Sequence, residues 1–362
     1  LQIFINWKLN HSFYNRTMLQ STGHPVYYHK SIRKKAQIHR VANKSLPGSV
    51  HLNKSEKIQL INIAKATLIC LHRETEPFTY ADPAEIIRFD LERGLTVVLY
   101  GMSKERRLSI ESYIGYLAFK NNIPVAYGGG WIFGHRCQFG INILPPFRGG
   151  ESAFLFYQLL RVYKQYFGVE RFVVKPYQFG KNNKEALKSG AFWFYYKGGF
   201  RPVDDAVKKK ASVEWEKINN SSSYRTPITV LKKFIASNLQ LTFKENTFPH
   251  YDAAELSKYI TAFINDQFHG KRDIALTLCS RKTKTQLGIQ SIKSWSRYEQ
   301  KAFNEWSLIA QAFLNIENWS SGTKEKFIQL IKAKGDAPEK IFIRRLQQHK
   351  EFWIDTEKKL SH

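Results

Sequence analysis

Residues 143 to 158 read ILPPFRGGESAFLFYQ: an apolar strand end, two prolines, Phe147, Arg148, Gly149 and Gly150, then a helical pattern with no linker. A strand that turns through glycines into a helix can cradle phosphate, because backbone N–H groups and the positive end of the helix dipole face one anion. Glu151 opens this helix. A carboxylate about 5 Å from one phosphate charge costs roughly 3 kcal/mol at an effective dielectric of about 20. It gains only about 0.3–1 kcal/mol from the dipole. The turn therefore serves phosphate only if the Glu151 side chain leans away while the amides of Gly149, Gly150 and Ser152 face the ligand.

The flanking residues predict the elements that hold this turn. The runs 95–101 (LTVVLYG) and 111–119 (ESYIGYLAF) are rich in β-formers, and Lys120, Asn121 and Asn122 form a hairpin turn. Two more strands, IPVAYGGGWIFG and CQFGINIL, follow around a corner at Gly134, His135 and Arg136, which completes an antiparallel meander. Within it, YGGG (127–130) reads as a β-bulge. Past the turn, Phe154, Tyr157, Leu160 and Lys164 stand at helical steps, and RFVVKPY (171–177) supplies another strand. A second helix in NNKEALKSGAFWFYYKGGF stops at Gly198 and Gly199. Upstream, Ile58, Ile61, Ala64 and Leu68 predict a helix from Lys57 to Leu71 with Ser55 as its N-cap.

Two segments in this order resemble the GNAT superfamily of acyl-CoA-dependent N-acyltransferases. Ile143, Pro145, Phe147, Arg148, Gly149 and Ala153 fall on the superfamily's pyrophosphate turn, and Tyr195, Gly199 and Phe200 on its Tyr-x-x-x-Gly-Phe, with Ala191 four residues before the tyrosine. Glu151 replaces the central glycine, and Lys188 stands where an asparagine is frequent. The resemblance spans roughly 110 residues, under a third of the chain. It implies an α+β fold, a mainly antiparallel sheet flanked by helices. It also implies acetyl-CoA or another acyl-CoA as donor, held by Ile143, Leu144, Phe147, Arg148, Gly149, Gly150, Ser152 and Ala153. The acyl group would pass to an amine, with Tyr195 protonating the leaving thiolate and Glu111 or His135 as candidate base.

The 362 residues divide into a basic arm (1–53), the GNAT-like region (54–204) and a mostly helical C-terminal region (205–362) that shapes or restricts the substrate site. KKK at 208–210 and NNSSSY at 219–224 read as linker. The formal charge of +26 is spread as +9 over residues 1–60, +6 over 61–205 and +11 over 206–362. A field of that sign attracts polyanions. Two alternatives therefore stay open: a non-catalytic GNAT-like protein that binds nucleic acid or an acidic partner, and a transferase that takes aminoacyl-tRNA as donor. Cys70, Cys137 and Cys279 are far apart, which indicates neither a disulfide framework nor a cysteine zinc site. With no apolar run near ~18 residues, the expectation is a cytoplasmic protein without a transmembrane segment.

Overall fold

The computed structural model describes residues 26–32, 37–244 and 251–361. Helices α1 (Ile38–Asn43), α2 (Lys54–Cys70) and α3 (Glu76–Thr79) precede β1 (Ala81–Asp90), β2 (Leu95–Met102), β3 (Ser112–Lys120), β4 (Ile123–Phe133) and β5 (Arg136–Ile143). Then come α4 (Ser152–Phe167), β6 (Arg171–Val174), α5 (Lys184–Lys188), α6 (Ala191–Lys197), β7 (Arg201–Pro202), α7 (Asp205–Asn220), α8 (Ile228–Phe234) and β8 (Leu239–Thr242). The helices α9 (Ala253–Phe268), α10 (Arg272–Gln286), α11 (Arg297–Phe313), α12 (Ser321–Asp336), α13 (Glu339–Gln348) and α14 (Lys350–Leu360) follow. The fold is α+β. No helix among the described residues is long and apolar enough to cross a membrane.

One sheet runs in the order β1-β2-β3-β4-β5-β6-β8-β7, antiparallel throughout except for the β5–β6 pair. Asn121 and Asn122 both have positive φ, which matches the twist of a two-residue hairpin and sets the β3–β4 register. The three glycines of β4 make no bulge: pairing is continuous from Ser112–Ile132 to Ala118–Ala126. They make room for aromatic rings instead. A Cβ at Gly128, Gly129 or Gly130 would stand under 3.0 Å from Tyr116, Tyr113 or Tyr163, respectively.

Helix α4 lies on one face of the sheet, where Tyr163 donates a hydrogen bond to the Ile114 carbonyl at 2.7 Å. Helices α2 and α3 cover the other face, where Ile61, Leu68 and Phe78 pack with Val98, Tyr100 and Leu117. The N-cap of α2 is Asn53 in a capping box with Glu56, not Ser55, and Ile58 is exposed. The expected arm does not end at residue 53. Ile38 and Val41 of α1 are buried against α4, and the Arg161 guanidinium holds the carbonyls of Lys44 and Ser45. Residues 1–25 and 33–36 of that arm lie outside the described residues.

Two other boundaries differ from expectation. Strand β8 pairs with both β6 and β7, so the sheet continues past residue 204. Lys208–Lys210 are helical within α7, not linker, because Asp204 caps that helix by accepting from the Val207 N–H at 2.8 Å.

The C-terminal helices dock at the end of the sheet where β3 and β5 begin. Trp353 packs under Gly134 at the β4–β5 corner, and Gln347 donates to the Gly134 and Phe167 carbonyls. Beside them is a buried ionic cluster. Arg107 reaches Glu85 at 2.9 Å, while Lys334 and Ser112 both donate to Glu339. Burial and the nearby Glu339 push the Glu85 carboxyl up to about 7 against the pull of Arg107. In the unfolded chain Glu85 titrates near 4.5, so the fold holds an extra proton between these values and loses stability as pH rises through them. Glu85→Gln is expected to flatten this loss, which is at most about 3 kcal/mol. Denaturant midpoints of both proteins at pH 5 and pH 8 measure it; parallel slopes would assign the pH dependence to other groups.

Candidate functional site

β5 and β6 pair only through Arg136–Arg171, Cys137–Phe172 and Gln138–Val173. β6 then ends at Val174 and turns through a 3₁₀ segment, Pro176–Phe179, whereas β5 runs on to Ile143. The strands part, and the opening joins a groove of about 1310 Å³. Its wall takes in Ile141, Ile143, Leu144, Arg148, Gly149, Ser152, Gln178 and Tyr195. Five cations also line it, Arg73, Arg148, Lys188, Lys197 and Arg225, against one anion, Glu185.

The glycine turn forms one lip of this groove. Gly149 and Gly150 have φ of +81° and +49°, and open space surrounds the position of a Cβ at either. Among the described residues, neither glycine N–H meets an acceptor within the chain. Ser152 differs from expectation: its N–H donates to the Gly149 carbonyl at 2.9 Å and its hydroxyl to the same oxygen at 2.7 Å. That amide closes the turn and is not available to a ligand. Arg148 donates from Nε to the Ile143 carbonyl at 3.1 Å and pairs with Glu185 of α5 across the groove mouth. Phe147, Gly150 and Ala153 stand beside the groove without lining it.

Glu151 is turned away from this surface. Its carboxylate pairs with Arg93, which precedes β2, and lies 3.7 Å from Lys120 Nζ at the end of β3 and 3.5 Å from His29 Nδ1. The Arg93 guanidinium also donates to the Tyr27 hydroxyl and the Ser31 carbonyl, both at 2.9 Å. The carboxylate is thus neutralised on the far side of the turn, and it ties residues 27–31 to the sheet.

Only one of the three proposed catalytic side chains reaches the groove. Tyr195, on α6, donates to Gln178 Oε1 at 3.3 Å, and burial keeps its hydroxyl protonated well above the ordinary tyrosine range. The single helix expected here is two, α5 and α6, broken at Gly190 with φ +66°, and this break aims α6 at the groove. Glu111 and His135 sit at the opposite end of the strands. Glu111 precedes β3 beside Arg136, Asp252 and Lys334, and burial raises its carboxyl. His135 Nδ1 lies 3.2 Å from the Gly168 carbonyl and 3.7 Å from Glu170. Along a strand that rises ~3.3 Å per residue, the five steps from Arg136 to Ile141 put roughly 16 Å between those groups and the opening. Neither is within hydrogen-bond reach of a group held there. The described helices after residue 252 do not line the groove either; α7 and α8 do, through Ile218, Ile228 and Leu231.

Gln178 and the cations Lys197 and Arg225 were not singled out in the sequence. Gln178 follows the expected strand RFVVKPY, which is the only local signal it carries. Comparison of the chain with protein-family models, curated proteins and solved structures finds no match.

Proposed function

We propose that this protein is an N-acyltransferase of GNAT type that takes its acyl group from acetyl-CoA or another acyl-CoA. The observation that carries this reading is the single groove that joins the glycine turn, with Glu151 facing away, to Tyr195 through the parting of two parallel strands. The residues present suit the donor. Arg148 and the N–H groups of Gly149 and Gly150 would hold the pyrophosphate, and Lys188, Lys197 and Arg225 add positive charge along the same groove. An acyl-CoA supplies an activated thioester. Tyr195 keeps a proton on its hydroxyl through the neutral range and can donate a hydrogen bond to a leaving sulfur. Among the described residues the one carboxylate that lines the groove, Glu185, is paired with Arg148, so a water or the solvent would take the amine proton.

The excess of four positive charges in the groove also suits an RNA-borne donor, which the test includes. Thermal unfolding with acetyl-CoA, CoA and transfer RNA distinguishes the donors. A ligand at 100 times its Kd adds about 2.7 kcal/mol of stability. Stabilisation by acetyl-CoA and CoA is expected. Stabilisation by RNA alone would replace the acyl-CoA reading with one of the polyanion readings.

A further inference from the structure

The parting of β5 and β6 leaves an edge of β5 without a strand partner, and one side chain fills it. Gln178 Oε1 accepts from the Ile141 N–H at 3.4 Å and from the Tyr195 hydroxyl at 3.3 Å. A backbone donor and a side-chain donor, from elements far apart in sequence, converge on a single oxygen. The other end of the amide lies against Gly140, where a Cβ would stand 3.1 Å from Gln178 Nε2. Both contacts to the oxygen are at the long end for hydrogen bonds, and Gln178 is only half-buried in a short 3₁₀ turn. The two donors share one amide oxygen, and both hold it at long distance.

We infer that Ile141 N–H and Tyr195 Oη form a carbonyl-oxygen site that the Gln178 amide fills as a placeholder, and that an amide or thioester carbonyl of the ligand displaces it. The inference rests on the acyl-CoA reading above. An acyl-CoA carries carbonyls of both kinds, in its pantetheine arm and its thioester, and each is an acceptor of the same shape as the glutamine amide. On displacement, the two donors exchange one carbonyl for another, and neither is left unsatisfied in the half-buried cleft. The Gln178 side chain then swings to the exposed side of its turn. Nothing in this exchange makes or breaks a covalent bond.

The placeholder role gives opposite signs to two substitutions. Gln178→Ala removes the internal competitor and should tighten acetyl-CoA binding five- to tenfold, about 1–1.4 kcal/mol. Gln178→Glu offers the same donors a charged acceptor, which holds them more firmly, and should weaken acetyl-CoA at least tenfold at pH 7.5. Isothermal titration of the wild-type chain, both variants and Gln178→Met reads these changes; the methionine keeps the bulk in case alanine loosens the turn, and it should behave as alanine does. If wild-type protein binds acetyl-CoA but Gln178→Ala and Gln178→Met both weaken it, Gln178 is a direct ligand contact and the placeholder inference is wrong. Unchanged affinity in all variants also overturns it, while the acyl-CoA reading stands. If the wild type and all three variants bind no acetyl-CoA, the acyl-CoA reading itself fails, and this inference with it.

Discussion

Gly149→Val is expected to lower acetyl-CoA affinity at least 100-fold while the chain still melts cooperatively. Gly149 and Gly150 are consecutive residues with positive φ, and that backbone exposes their two N–H groups. A β-branched residue at φ near +81° is an outlier that costs about 1–2 kcal/mol. Valine escapes this strain by swinging φ to a negative value, which redirects the amides and dismantles the cradle. The fold should tolerate it, because no heavy atom lies within 4 Å of the added Cβ and the turn is exposed. Gly149→Ala, strained but less crowded, should fall between the two. Titration calorimetry on the three proteins checks the order, with thermal unfolding to confirm that each is folded. Equal affinity for wild type and valine would move the phosphate off this turn.

The turn was legible because its chemistry is local. Proline at 145 and 146, glycine at 149 and 150 and the helical spacing that follows are all read within one short segment. The direction of Glu151 was not, since Arg93, Lys120 and His29 arrive from three other segments, 58, 31 and 122 residues away. Strand β8 was missed for the same reason: LQLT is too short to declare itself, and it is fixed by pairing with Arg171–Val174. The distance of His135 from the groove is a different case. A residue at the β4–β5 corner and a turn at the far end of β5 must lie a strand's length apart, and the sequence contained that information. Tyr195 and Gly199 keep their expected spacing although Gly190 splits the helix, because both belong to the second of the two segments.

The remaining large effect concerns Glu151, where charge and stability separate. Glycine stands here in the pattern that the sequence resembles, so Glu151→Gly matches that pattern and removes the carboxylate. The side chains of Glu151 and Arg93 are only 15% and 11% exposed, and breaking such a pair leaves a guanidinium short of its countercharge beside Lys120. The expected stability loss is about 3 kcal/mol, toward the low end for a buried pair because water still reaches both groups. Residues 27–31 should loosen with it, since His29 loses its contact with the carboxylate and Arg93 its anchor. Acetyl-CoA affinity, in contrast, should change by less than tenfold, or 1.4 kcal/mol, because the carboxylate points away from the groove and its charge is already matched by cations. A carboxylate facing the phosphates would behave oppositely: its removal would tighten binding by about two decades, as the Coulomb cost of roughly 3 kcal/mol requires. Denaturant unfolding and acetyl-CoA titration of the same two proteins, at two salt concentrations, separate these cases. A hundredfold gain in affinity on substitution would mean that Glu151 guards the turn against phosphate, and that the natural protein uses the groove for another ligand.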